Sequence, residues 1–147
     1  MQDPSAALIY AMVLTSAADG SMSDAELQTM GEMVSRLPVF GDFDTDRLPE
    51  VAEECAALLQ QEDGLARAFE RIRAALPTRL RETAYALACD VVAADQTASQ
   101  EELRLLEMLR EALEVERLPA AAIERAARAG SCFAGTTELR PYDRSRL

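Results

Sequence analysis

Apolar side chains recur along this chain every three or four positions, and the runs break at short clusters of Asp, Ser, Gly and Pro. That spacing belongs to helices that bury one face. Ala, Leu, Glu, Arg and Met dominate while β-branched and aromatic residues are few, so strand signals are scarce. The pattern predicts an all-α fold, a single compact domain of about seven helices.

A first helix over about Pro4–Ala18 has Asp3 as its cap and Leu8, Ile9, Met12 and Val13 on one face. A second starts after Ser23 with Leu27, Met30, Met33, Val34 and Leu37, until Pro38 and Gly41 break the chain. A third from about Leu48 presents Val51, Ala52, Cys55, Leu58 and Leu59; a fourth shows Leu65, Ala68, Phe69, Ile72 and Leu76 and stops at Pro77. The fifth follows Thr78 with Leu80, Ala84, Leu87 and Val91 inward, and the sixth follows Ser99 with Leu103, Leu106, Leu109 and Leu113. A seventh starts near Pro119 and carries Ile123. The helical domain is assigned to residues 1–130, and the tail 131–147 is expected to pack loosely or be disordered.

One pattern occurs twice. "AADGSMSDAEL" at Ala17–Leu27 returns as "AADQTASQEEL" at Ala93–Leu103, 76 residues later. This predicts two pseudo-symmetric helix–turn–helix units, about 8–34 and 84–110. "SDAE" and "SQEE" both fit the capping box, in which the Ser23 or Ser99 hydroxyl accepts a free N–H and Glu26 or Glu102 reaches back to the cap amide. Met22 with Leu27, and Ala98 with Leu103, stand at the staple positions.

Capping leaves Asp19 and Asp95 less well explained. Each ends an apolar helix, where the carbonyl end is partly negative, and a carboxylate there needs an N–H donor, an arginine or a bound cation. Gly20 takes a left-handed conformation cheaply and Gln96 does not, so the first turn should be the tighter. Neither turn is an EF-hand: with Glu26 at the twelfth place, the first and third places fall on Thr15 and Ala17, and in the second copy on Val91 and Ala93. A further acidic stretch, Asp42, Asp44 and Asp46 with Glu50 and Glu53, reads as a charged approach to the N-terminus of the third helix.

Charge sharpens this picture. Of 26 acidic and 15 basic residues, residues 1–64 hold 13 acids and two arginines, so the net charge of −11 lies wholly in that part. The balance argues against a nucleic-acid partner and favours a cation, a basic protein surface or plain solubility. There is no histidine, which excludes an ordinary zinc site and a His-based triad. Cys55, Cys89 and Cys132 form an odd set without C-x-x-C spacing and suit reduced thiols in the cytoplasm. The longest uncharged stretch, Pro4–Ala18, is too short to span a bilayer, and the first basic residue is Arg36, so no signal-peptide n-region is present. Every basic residue is Arg, which points to a high-GC genome.

The doubled "AAD…S..E" pattern, on helices of this spacing, resembles the TerB-like family of tellurite-resistance and stress-response proteins, from about Leu8 to Ala129. The resemblance implies a small all-helical cytoplasmic protein with internal pseudo-symmetry and a divalent-cation site in the repeated turns. That role would pass to Asp19, Glu26, Asp95 and Glu102. The leading expectation is therefore a non-enzymatic stress-response protein binding Ca²⁺ or Mg²⁺, hard ions that prefer oxygen. The alternative is an acidic adaptor docking on a basic protein partner without metal. An enzyme using paired carboxylates lacks a cofactor motif or nucleophile, and Cys89 beside Asp90 has no evident base.

Overall fold

Asp3 opens the first helix, α1 (Pro4–Ser16): its carboxylate accepts the Ser5 N–H at 3.0 Å, and Pro4 supplies a preset φ at the first helical position. In the computed structural model, the described residues are 3–134 without Asp19, Ser21 and residues 95–97, and the side chains of residues 131–134 are also outside the description. The elements that follow are α2 (Asp24–Arg36), α3 (Leu48–Leu59), α4 (Gly64–Ala75), α5 (Thr78–Ala94), α6 (Gln100–Ala112) and α7 (Arg117–Ala134). Two short 3₁₀ turns, Pro38–Phe40 and Thr45–Arg47, lie between α2 and α3. The described residues contain no strand, so the fold is all-α, and none of their helices is long and apolar enough to cross a membrane.

The amphipathic reading of the first helix is corrected. Every residue from Ala6 to Ser16 is buried, not only the face of Leu8, Ile9, Met12 and Val13. The cause is composition: α1 carries no charged side chain, so it can be enclosed on all sides by α3, α4, α5 and α6. Its buried Thr15 hydroxyl donates to the Ala11 carbonyl at 2.8 Å, which removes the cost of burying it unpaired.

The second helices of the two proposed units repeat in register, while the first differ in length, 13 residues in α1 and 17 in α5. α2 and α6 both have 13 residues, and each boundary of one lies 76 residues from the other. Their cap serines adopt the same backbone, φ −78° and ψ 161° at Ser23 and φ −76° and ψ 161° at Ser99. The packing of the two helices differs. α2 buries Met30 and Val34 and rests on the 3₁₀ turns, whereas α6 buries Leu105, Leu106 and Leu109 against α1, α4 and α5. Leu103, expected inside, is 46% exposed, because the inward face of α6 is the row Glu102, Leu105, Leu106 and Leu109. The last helix also extends beyond the expected domain edge at residue 130, to Ala134. Residues 135–147, most of the expected tail, lie outside the described residues.

Loops fix the angles between these helices. Phe40 and Phe43 meet edge to face, with centroids 6.4 Å apart, and the Arg47 guanidinium lies 5.7 Å from the Phe43 ring. The α3–α4 corner is tighter. Asp63 takes a left-handed conformation, φ 56°, and a Cβ on Gly64 would stand 2.1 Å from the Leu58 carbonyl oxygen. No backbone atom can yield cheaply there, so Gly64 is required by close approach.

Gly64→Ala is accordingly expected to destabilise the protein by about 1–3 kcal/mol, the usual cost of forcing a group into filled space. A urea midpoint equal to that of the wild type would show that the corner opens without cost.

Candidate functional site

The pseudo-repeat brings the end of each first helix towards the beginning of each second one. Ser16 closes α1, Ala94 closes α5, and Glu26 and Glu102 stand in the first turns of α2 and α6. All four line a single cavity of about 150 Å³, with Thr29, Met30 and Val91 completing much of its wall. The two glutamates from the repeated turns therefore face one space. Asp19 and Asp95, the other two residues expected to join them, lie outside the described residues.

Local geometry decides where each carboxylate points. At α6 the capping box is complete: the Glu102 N–H donates to Ser99 Oγ at 3.1 Å, and the Ser99 N–H donates to Glu102 Oε1 at 3.3 Å. At α2 only half of it forms. The Glu26 N–H donates to Ser23 Oγ at 3.1 Å, but the Glu26 side chain does not return to its cap. Its Oε2 instead accepts the Ser16 hydroxyl across the cavity wall. The expected box at "SDAE" is corrected on that point, and Ser16 is the site residue that sequence reasoning passed over. A signal for it existed, since Ser16 is a polar residue ending an apolar helix and its counterpart 76 residues on is Val92.

Glu102 is buried, 6% exposed, while Glu26 is half-buried. Among the described residues no arginine lines their cavity. Both carboxylates are stabilised by the partly positive first turns of their helices. The Thr29 hydroxyl, also on the wall, is occupied by the Ala25 carbonyl at 3.0 Å. The donor set of the described wall is thus two carboxylates with one hydroxyl beside them, all oxygen. Among the described residues no group of three or more His, Cys, Asp or Glu side chains is placed to hold a metal.

Other chemistry finds less support. Burial pushes the Cys55 and Cys89 thiols up to about 12, so neither is a thiolate near neutral pH. Burial also raises Tyr85, whose hydroxyl donates to Glu124 at 3.0 Å and ties α5 to α7. The acidic stretch before α3 is partly spent on structure, since the Asp44 carboxylate accepts the Asp46 N–H at 3.0 Å. A larger hollow of about 490 Å³ lies between α1, α2 and α3, but Val13, Leu14, Leu27, Leu59 and similar side chains line it, with Glu53 as its one carboxylate among the described residues.

The family model described as "Tellurite resistance protein TerB" matches residues 5–126. No curated protein and no solved structure matches the chain.

Ser23→Ala and Ser99→Ala should each destabilise the fold by about 1 kcal/mol through a lost cap. Glu102→Gln should leave the urea midpoint near the wild-type value, because glutamine still completes the box at α6. Serine variants that melt like the wild type would contradict the cap geometry.

Proposed function

The chain belongs to the TerB family, and on that premise we propose that it is a non-enzymatic tellurite-resistance or stress-response protein of the cytoplasm that binds a divalent cation through its two repeated turns. One observation carries this reading: Glu26 and Glu102, contributed by equivalent positions of the two turns, line the same cavity. The cavity is well above the ~10–15 Å³ that one water needs, so an ion could keep part of its hydration shell there. Oxygen donors of this kind suit Ca²⁺ or Mg²⁺. Soft ions are disfavoured, since the chain has no histidine and its Cys55 and Cys89 thiols are buried and protonated.

In this reading Asp19 and Asp95, which belong to the same turns, complete the ligand set with Glu26 and Glu102. The cation would supply charge compensation for carboxylates that no arginine answers among the described residues of the wall. No bond-making step is required of it.

A second reading rests on a different observation. The surplus of acid in residues 1–64 is displayed on the surface, with Asp42, Asp44, Asp46, Glu50, Glu53 and Glu54 all exposed. Such a face suits an adaptor that docks on a basic protein without metal. Salt separates the two readings, because docking of exposed charges weakens with ionic strength while a chelated ion is screened less.

The test is thermal denaturation with and without millimolar CaCl₂ or MgCl₂, backed by titration calorimetry. A ligand held only by the native state raises its stability by about 2.7 kcal/mol at a hundred times its Kd. The wild type is expected to gain melting temperature with one of these ions, and the double variant Asp19→Asn, Asp95→Asn to lose that gain while staying helical. Absence of both binding heat and thermal shift would remove the cation reading and leave the adaptor.

A further inference from the structure

We propose that Ser16 is a positioning residue of this site: its hydroxyl draws the Glu26 carboxylate away from the α2 cap and holds it at the cavity shared with Glu102. The inference rests on the cation reading given above and concerns which residue sets the geometry of the first turn.

The two copies form a comparison within one chain. Their cap serines share the same torsions, and both accept the N–H of the glutamate three residues on at 3.1 Å. Within the cap itself the copies part at the carboxylate. Glu102 returns to the Ser99 N–H, while Glu26 accepts from Ser16. The torsions of the cap serine are not the cause, because they are the same in both. The position that donates to Glu26 is Ser16 in one copy and Val92 in the other, and valine has no hydroxyl to offer.

Physical chemistry favours the diversion. Ser16 is buried, 7% exposed, so its hydroxyl would lose water without a partner, and a carboxylate is the stronger kind of acceptor. The exchange has a structural consequence for the site. Glu26 is released from its cap and faces the cavity, whereas Glu102 stays tied to the Ser99 amide through Oε1. The site is therefore unequal: one carboxylate is set in place by a neighbour in the wall, and the other is shared with a helix end. Partners that orient metal-binding carboxylates in this way usually change affinity by about 10–100-fold when removed.

The experiment compares Ser16→Val, which copies the second unit, with Ser16→Thr, which keeps the hydroxyl. Calorimetric titration with CaCl₂ and MgCl₂ is expected to show affinity at least about tenfold weaker in Ser16→Val and near wild type in Ser16→Thr. A crystal structure of Ser16→Val without added ion is expected to show Glu26 turned back to the Ser23 N–H, completing the box as at α6. Unchanged affinity in Ser16→Val, or a Glu26 carboxylate that stays at the cavity without the hydroxyl, would overturn the proposal. If the wild type binds neither ion, the cation reading falls on its own account. The crystal structure then still decides whether Ser16 governs Glu26.

Discussion

The complete burial of α1 is the constraint from which the rest of the structure follows. A helix of 13 residues without a charge cannot lie on a surface, so four other helices must close around it. Two of these, α5 and α6, are the counterparts of α1 and α2 in the second unit, and wrapping them about α1 brings the ends of the repeated helices to one side of the core. Burial also fixes where polar atoms can stand. Thr15 satisfies itself along the helix, and Ser16, one residue on, has to look outward past the last turn. The partner it finds there is Glu26.

That meeting turns a local rule into a tertiary choice. A capping box is decided within four residues and is worth about 1 kcal/mol for the serine alone. The carboxylate's own choice lies between two hydrogen bonds to a charged group, each contributing about 1.5–3 kcal/mol. It turns on the buried hydroxyl, which costs more to leave unpaired than an exposed cap amide. Where both options are open to one carboxylate, the buried hydroxyl outcompetes the half-solvated cap amide. Where the hydroxyl is missing, as at Val92, the box closes in its ordinary form.

Much of the fold was legible in the sequence for local reasons. Asp3, Ser23 and Ser99 mark helix starts that depend only on the next few residues, and all three act as caps with the expected side-chain acceptors. Pro38 and Pro77 mark the breaks equally locally. The 76-residue offset carried further still, since it implied that two distant turns belong to equivalent positions. What periodicity could not convey was the depth of burial. Four aligned apolar residues in α1 read as a face, although the absence of any charge on the helix already allowed enclosure. Leu103 misled for a similar reason: α6 has leucines on two neighbouring rows, and only contact with α1, α4 and α5 selects the row of Leu105 and Leu109. Of the four expected site residues, Glu26 and Glu102 share a cavity, and Asp19 and Asp95 lie outside the described residues.

The unequal treatment of the two glutamates bears on how such a cavity can work. Both stand in the first turn of a helix, where exposed amide groups already favour negative charge by some 0.3–1 kcal/mol each. A cation bound as proposed would therefore meet carboxylates that are partly satisfied, and what it gains would be reduced by whatever N–H interaction it disturbs. At Glu102 that interaction includes the Ser99 amide; at Glu26 the hydrogen bond comes from a hydroxyl, which can rotate and still donate while the other carboxylate oxygen turns to a ligand. Exchange at the first turn, on the cation reading, would leave the helix cap untouched, because the Ser23 hydroxyl accepts the Glu26 N–H whatever the side chain does. The stability of α2 and the charge state of the cavity are separated in one unit and linked in the other, and the separation is made by one hydroxyl at the end of the central helix.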